Sequence, residues 1–360
     1  LTVMSDILAG IKVDITPQCT TYMMNGNWDE LNIAKMLSVV ERVDSPYLIQ
    51  YKNWKYQAPQ YEYQGVFRKK KIKMPGVLTF ESEPINYTLE DYLNDQPGHV
   101  LSGDNAMSII AQVWMALNSI RNISPYIRVI SLHPRNILLT PLPDSNPPMY
   151  QVQLMRYIPS IFCPYMSQGD KLFCSPIQLY NISRQLNTID SRSELYTFGV
   201  LVTWIWTGKL PYRADITVQS LIDSHPTATS VVRIGPITNP LVKNLIEMLL
   251  IKRCSWDYTY KDEYMVMARK ATFLEFRSKP EDFEIVEQIG HGTSAEVYQA
   301  IQKTRRGSRI VAIKEMVIND NELDFVQNEV DILSLCQHPN VIKMYDSFTH
   351  HDSFISDKKG

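Results

Sequence analysis

The C-terminal part of the chain contains the stretch Ile289-Gly-His-Gly-Thr-Ser-Ala-Glu-Val297, flanked by runs of alternating apolar and polar residues at 283–289 and 295–300. This alternation predicts two strands joined by a short turn. Gly290 and Gly292 carry no side chain, so phosphate oxygens could approach the backbone N–H groups closely. A plain hairpin turn explains two glycines equally well, so both interpretations stay open on this motif alone.

The next predicted strand supplies a positive charge to the same region. Its sequence, Val311-Ala-Ile-Lys314, ends in a lysine whose ammonium group would lie beneath the glycine turn. Residues 322–336 show the apolar spacing of a helix, and Glu329 lies midway along it, where its carboxylate could pair with Lys314. A glycine turn, a strand lysine and a helix glutamate in this order favour a phosphate-binding site over a simple turn.

This order resembles the small lobe of the eukaryotic protein kinases, from about residue 283 to residue 354. His338-Pro-Asn-Val-Ile342 is similar to the segment that follows the helix in that family, and a further strand is predicted from Val341. The resemblance implies Mg-ATP as the ligand, with Lys314 on the phosphates and Glu329 as its ion-pair partner. Alanine replaces the third glycine of the family's loop, which adds one methyl group and does not argue against ATP binding. The nucleotide-binding residues that the resemblance implies are Ile289, Gly290, His291, Gly292, Thr293, Ser294, Ala295, Glu296, Val297, Ala312, Lys314 and Glu329.

The first part of the chain resembles a protein kinase that lacks its catalytic groups. Residues 132–139 are similar to the kinase catalytic loop, and residues 152–158, 174–177, 195–201 and 207–212 are similar to later kinase segments in the family's order. The resemblance puts Ser131 in place of the catalytic aspartate, His133 in place of the lysine and Arg156 in place of the metal-binding aspartate. A serine without an activator is no base at neutral pH, and an arginine repels a magnesium ion. The resemblance also puts Met23 or Met24 in place of the strand lysine and Lys35 or Met36 in place of the helix glutamate. It puts Ile177 in place of the glutamate that ends the activation segment, and Asp257 in place of the arginine that pairs with that glutamate.

Short strand-like runs open the chain and helical patterns follow, which predicts an α+β fold with two lobes. Helical spacing is clear at 106–123 and 196–206. We expect a degenerate kinase-like domain at 1–275, with a small lobe at 1–85 and a helical large lobe at 86–275. A polar, proline-containing linker is predicted at 276–282, followed by the truncated small lobe of a second kinase at 283–360. Residues 45–51 resemble residues 338–344, which supports this tandem arrangement.

Composition is that of an ordinary soluble protein of 360 residues with a formal charge of −2, which indicates neither a nucleic-acid nor a membrane partner. Its five cysteines are widely spaced, which favours a reducing compartment, and we expect the cytoplasm. The basic run 68–73 is interpreted as a solvated loop between strands, with an anionic docking patch as the alternative.

We therefore expect a member of the protein kinase family whose parent protein uses Mg-ATP to phosphorylate serine or threonine in a protein substrate. The first domain would be a non-catalytic pseudokinase that regulates a protein partner. Because the chain begins at Leu1 and ends at Gly360, we interpret it as cut from a longer protein; no catalytic residue and no magnesium ligand is expected within it. The alternatives are a non-catalytic scaffold or interaction module, and a mispredicted gene product without a stable function.

Overall fold

The computed structural model describes the following residues: 11–26, 45–64, 70–101, 103–123, 127–129, 132–142, 149–155, 157–159, 168–184, 191–225, 231–275, 280–293, 295–304, 307–317, 326, 329, 330, 333, 340–342, 344, 345 and 347. The chain divides into two compact units, Leu1–Thr272 and Phe273–Gly360. Both contain antiparallel sheet, and the first also contains the described long helices. The predicted α+β fold class is confirmed.

The first unit opens with six strands, which are β1 (Ile11–Ile15), β2 (Thr20–Gly26), β3 (Lys52–Gln57), β4 (Gln60–Gln64), β5 (Lys70–Met74) and β6 (Gly76–Ser82). Four of them form an antiparallel sheet in the order β1-β2-β6-β3, while β4 and β5 form a separate hairpin. Alternate residues of β6 are buried, as expected for a strand with one face on a core. Because Lys70–Met74 is a strand, the interpretation of the whole basic run as a loop is wrong; backbone pairing with β4 stabilises this segment despite its charge.

Aromatic rings form the core under this sheet. The ring of Phe80 stacks on Tyr22 at a centroid distance of 4.8 Å and on Trp54 at 4.4 Å. Tyr51 meets Phe80 edge to face at 5.1 Å. Each such pair adds about 0.5 to 1.5 kcal/mol beyond the burial of its area. This cluster ties β2, β3 and β6 together.

The rest of the first unit contains nine described helices and two short strand pairs. The helices are α1 (Leu89–Asn94), α2 (Gly103–Ile123), α3 (Gln168–Leu172), α4 (Pro176–Ser183), α5 (Ser191–Thr207), α6 (Val218–Asp223), α7 (Pro240–Leu250), α8 (Trp256–Lys261) and α9 (Glu263–Glu275), the last of which continues past Thr272. Strand β7 (Ile127–Val129) pairs with β10 (Tyr157–Pro159), and β8 (Ile137–Pro141) pairs with β9 (Tyr150–Leu154). The described part of the chain contains no helix long and apolar enough to cross a membrane.

Helix α2 is the centre of this helical part. It was predicted at 106–123 and begins three residues earlier. The indole N–H of Trp114 donates a hydrogen bond of 3.0 Å to Thr259 Oγ1, and the guanidinium of Arg269 lies 4.9 Å from the centroid of the Trp114 ring. Arg269 is buried, and its Nη2 donates to the Tyr260 carbonyl oxygen at 2.6 Å, so the buried charge is hydrogen-bonded. These contacts fix α8 and α9 against α2.

The second unit contains a three-stranded antiparallel sheet in the order β11-β12-β13. Its strands are β11 (Phe283–His291), β12 (Glu296–Thr304) and β13 (Gly307–Glu315). Strands β12 and β13 extend beyond the predicted 295–300 and 310–315, because their backbone pairing continues to Thr304 and Gly307 at the connecting turn. The polar residues near this turn do not interrupt the ladder.

The helix predicted at 322–336 is described at four positions, 326, 329, 330 and 333, all of which are helical. Its other residues, and residues 338 and 339, lie outside the described residues. Positions 341, 342, 344 and 345 are described and are not in a strand, so the strand predicted from Val341 is wrong at these positions. An apolar run forms a strand only where another strand pairs with its backbone.

Candidate functional site

Three predicted site residues lie side by side across the sheet of the second unit. Gly290 on β11 is opposite Val297 on β12, and Val297 is opposite Lys314 on β13. Residues directly opposite in an antiparallel sheet point to the same face. Ala312 lies two residues before Lys314 and therefore shares that face. Val297 is half-buried, while Ala312 and Lys314 are exposed, so this face is open beside the glycine turn.

The ammonium group of Lys314 is paired. Its Nζ lies 2.7 Å from Glu329 Oε1, and the two side chains are 47% and 37% exposed. An ion pair this exposed contributes only about 0.2 to 1 kcal/mol to stability. The pair therefore matters more for where it holds the ammonium group than for the stability of the fold.

The glycine turn is closed by one short hydrogen bond, in which the N–H of Gly292 donates to the carbonyl oxygen of Ala295 at 2.9 Å. Neither Gly290 nor Gly292 has a positive φ. A Cβ on Gly290 would lie 3.4 Å from Val297 Cβ, and one on Gly292 would lie 3.4 Å from the Ala295 carbonyl oxygen, which are ordinary contact distances. The fold itself therefore tolerates a small side chain at both positions.

The remaining predicted residues surround this turn. Ile289 and Thr293 are exposed, and Ala295 is half-buried. His291 pairs with Glu296 across the turn, at the base of the hairpin. Ser294 lies outside the described residues. All the described predicted residues thus occur in the turn, on the two strands that flank it, on β13 and at Glu329.

A tyrosine that sequence analysis did not select lies on the opposite face of the sheet. The hydroxyl of Tyr298 donates a hydrogen bond to Glu296 Oε2, and Tyr298 is only 2% exposed. The hydrogen bond to Glu296, burial, and the charges of Glu296 and Glu315 raise the pKa of Tyr298 to about 12. Glu296 Oε1 also lies 3.6 Å from Nδ1 of His291. The i, i+2 spacing of Glu296 and Tyr298 on a predicted strand was the signal that could have found this contact.

In the first unit, the loop predicted to resemble a catalytic loop forms a short 3₁₀ turn at Pro134–Asn136 that leads into β8. His133 is buried, and its Nδ1 accepts hydrogen bonds from the backbone N–H of Arg135 at 3.3 Å and from the Arg135 side chain at 3.2 Å. Asn136 Nδ2 donates to Asp170 Oδ1 at 3.2 Å, and both residues are buried. Asp170, which lies four residues before Cys174, was not among the predicted residues of this loop.

The other replaced positions of the first unit are scattered. Met23 and Met24 lie on β2, Ile177 is half-buried on α4, and Asp257 is exposed at the start of α8. Ser131, Arg156, Lys35 and Met36 lie outside the described residues. Across the described ranges, no group of three or more His, Cys, Asp and Glu residues could hold a metal ion.

Comparison with known proteins points to the second unit. The protein kinase domain family matches residues 283–356. Mitogen-activated protein kinase kinase kinase kinase 3 of Homo sapiens is 35% identical over 81 residues, which cover 22% of this chain and 9% of that protein; its Mus musculus counterpart gives the same values. The serine/threonine-protein kinase PKH3 of Eremothecium gossypii is 31% identical over 81 residues, which cover 21% of this chain and 11% of that protein.

The chain thus spans about a tenth of the length of these relatives. The family match covers the three described strands of the second unit, the glycine turn, Lys314 and Glu329. The antiparallel sheet of this unit has the strand order β11-β12-β13, a meander, as expected from the resemblance to a kinase small lobe. Residues 283–356 of this chain therefore belong to the protein kinase superfamily.

Proposed function

We propose that the second unit binds Mg-ATP and that its parent protein is a kinase that phosphorylates serine or threonine in proteins. The observation that carries this proposal is the 2.7 Å contact between Lys314 and Glu329 on the open face of the sheet, beside the glycine turn. The serine/threonine preference follows the name of one relative, the serine/threonine-protein kinase PKH3 of Eremothecium gossypii. Membership of the kinase superfamily supports ATP as the nucleotide.

The residues fit a triphosphate for a physical reason. The turn has glycine at positions 290 and 292, and the fold would also tolerate a Cβ at both positions. A bare backbone there leaves room for an anion to approach the N–H groups. Lys314 adds a positive charge on the same face, and Glu329 holds it there without burying it. The bound nucleotide would supply the phosphoryl group for transfer, while these residues bind and orient it.

The apolar part of the same face suits a base. Val297 and Ala312 lie on neighbouring strands, on the face that carries Lys314. Stacking an aromatic ring against these aliphatic side chains would remove apolar area from water. Each Å² of apolar area buried in this way would stabilise the complex by about 25 cal/mol. We therefore assign base contact to Val297 and Ala312, and phosphate contact to the glycine turn and Lys314.

We assign a non-catalytic, regulatory role to the first unit. His133, at the position expected for the catalytic lysine, is buried and accepts hydrogen bonds from Arg135, so it is engaged within its own loop. Asn136 is likewise engaged by Asp170. A loop in which His133 bonds to Arg135 and Asn136 bonds to Asp170 on α3 is suited to a structural part. Its protein partner is of unknown identity. The three cysteines in the described part of the chain form no disulfide, which supports a reducing compartment such as the cytoplasm.

A thermal shift experiment on the whole chain tests the nucleotide proposal. Mg-ATP at one hundred times its dissociation constant stabilises a protein by about 2.7 kcal/mol. We expect this stabilisation in the wild-type chain and its loss in Lys314→Ala. Lys303→Ala is the matched control, because Lys303 is also a strand lysine in an exposed pair, 3.9 Å from Glu284. Equal stabilisation of all three chains would contradict the proposal.

A further inference from the structure

Glu296 brings a negative charge to the edge of the glycine turn. It is the first residue of β12, and it lies opposite His291 on β11 and opposite Glu315 on β13. Side chains alternate between the two faces of a strand. Glu296 and Tyr298 therefore point to one face, while Val297 and Lys314 point to the other. A carboxylate so close to a phosphate-binding turn opposes anion binding unless it is kept away from the anion.

Tyr298 is the anchor for this carboxylate. Its ring is only 2% exposed, so the hydroxyl has a fixed position, and it donates to Glu296 Oε2. The Glu296 side chain itself is 43% exposed. The charged groups around it are Glu315, opposite it in the sheet, and His291, whose Nδ1 is 3.6 Å away. Glu315 repels Glu296, and the His291 side chain is 74% exposed, whereas Tyr298 is only 2% exposed as a residue. Among the described residues around Glu296, Tyr298 is therefore the partner with the most fixed position.

We propose that Tyr298 is a positioning residue for nucleotide binding, because its hydroxyl holds the Glu296 carboxylate on the sheet face opposite Lys314. In this position the negative charge is directed away from the phosphates that the turn and Lys314 bind. The inference rests on the proposed function and adds a residue to it. Loss of the hydroxyl leaves the carboxylate free to rotate toward the turn, where it repels the phosphates.

The test compares Tyr298→Phe with the wild-type whole chain by calorimetric titration with Mg-ATP and with adenosine. Phenylalanine keeps the buried ring, so unfolding temperatures should stay close. Repulsion by one nearby carboxylate predicts a rise of about three- to tenfold in the Kd for Mg-ATP. Adenosine carries no phosphate, so its Kd should not change. The difference for Mg-ATP should shrink at 1 M salt, where charges are screened within about 3 Å.

A double-mutant cycle separates the charge effect from packing. In a Glu296→Gln background position 296 carries no charge that could repel the phosphates. Tyr298→Phe should then leave the Kd for Mg-ATP unchanged. An equal rise in both backgrounds would mean that Tyr298 acts through packing, and would overturn the inference. If Tyr298→Phe does not fold, Glu296→Gln alone decides: it should bind Mg-ATP at least as tightly as wild type, and weaker binding overturns the inference.

Two kinds of failure are distinguishable. A wild-type chain that does not bind Mg-ATP removes the proposed function, and the inference falls with it. A wild-type chain that binds Mg-ATP through Lys314, with an unchanged Kd in Tyr298→Phe, overturns the inference alone.

Discussion

Substitution of Gly199 by alanine tests how closely two helices of the first unit pack. A Cβ at position 199 on α5 would lie 2.8 Å from Leu250 Cδ2 and 2.9 Å from Leu249 Cβ on α7. Both leucines are at most 1% exposed, so neither can move aside into solvent. Overpacking of this kind costs about 1 to 3 kcal/mol, and alanine regains about 1 kcal/mol of helical propensity. We expect Gly199→Ala to lower the free energy of unfolding by up to about 2 kcal/mol, the difference between these two contributions.

Urea unfolding followed by tryptophan fluorescence measures this change, because all six tryptophans precede residue 257 and report on the first unit. Gly235→Ala is the matched control: a Cβ there would meet no atom within 4 Å, and its φ is not positive. This variant should be neutral or stabilised by about 0.4 to 1 kcal/mol, through a stiffer unfolded chain. Equal stability of the two variants would refute the close approach of α5 and α7.

Three further predictions concern other contacts. Glu329→Gln should raise the Kd for Mg-ATP about tenfold, since Lys314 loses its charged partner, while unfolding changes by less than about 1 kcal/mol; calorimetry and thermal melts measure the two, and an unchanged Kd contradicts the orienting role. Thr259→Val should destabilise the chain by about 1 to 3 kcal/mol in urea unfolding, because the buried Trp114 N–H loses its acceptor; a loss below about 0.5 kcal/mol argues against that bond. Burial raises the pKa of Cys254 from 9.0 to about 11. Stability should therefore be full below pH 9 and fall as the pH rises toward 11, and a constant unfolding temperature over this range would contradict it.

The fold was predictable where one local pattern decides it. Apolar spacing located α2 to within three residues, and runs of mixed apolar and polar residues located β11 and the first part of β12. The basic hairpin was not predictable in the same way, because Lys70–Met74 is a strand through pairing with Gln60–Gln64 rather than through its own propensity. The run from Val341 shows the reverse case, since strand-like residues there are described without a pairing strand. Pairing depends on a partner segment outside the run itself, which the residue pattern of a single run does not report.

The candidate site likewise contains residues that were predictable from the sequence and residues that were not. Residues that act through the backbone or through a fixed charge, such as Gly290, Gly292 and Lys314, follow from motif and spacing. Tyr298 acts through a side-chain contact to Glu296, and its burial is known only once the sheet is folded. Asp170 accepts a hydrogen bond from Asn136, which is 34 residues away in the sequence, and no local sequence pattern predicts such a contact.

We propose that this chain has one nucleotide site, and that the site includes Lys314. The most direct measurement is the number of Mg-ATP molecules bound per chain, by calorimetric titration of the wild-type chain and of Lys314→Ala. We expect one molecule per wild-type chain and none in the variant, with the Lys303→Ala control unchanged. Binding that persists unchanged in Lys314→Ala, or two molecules per wild-type chain, would contradict this proposal.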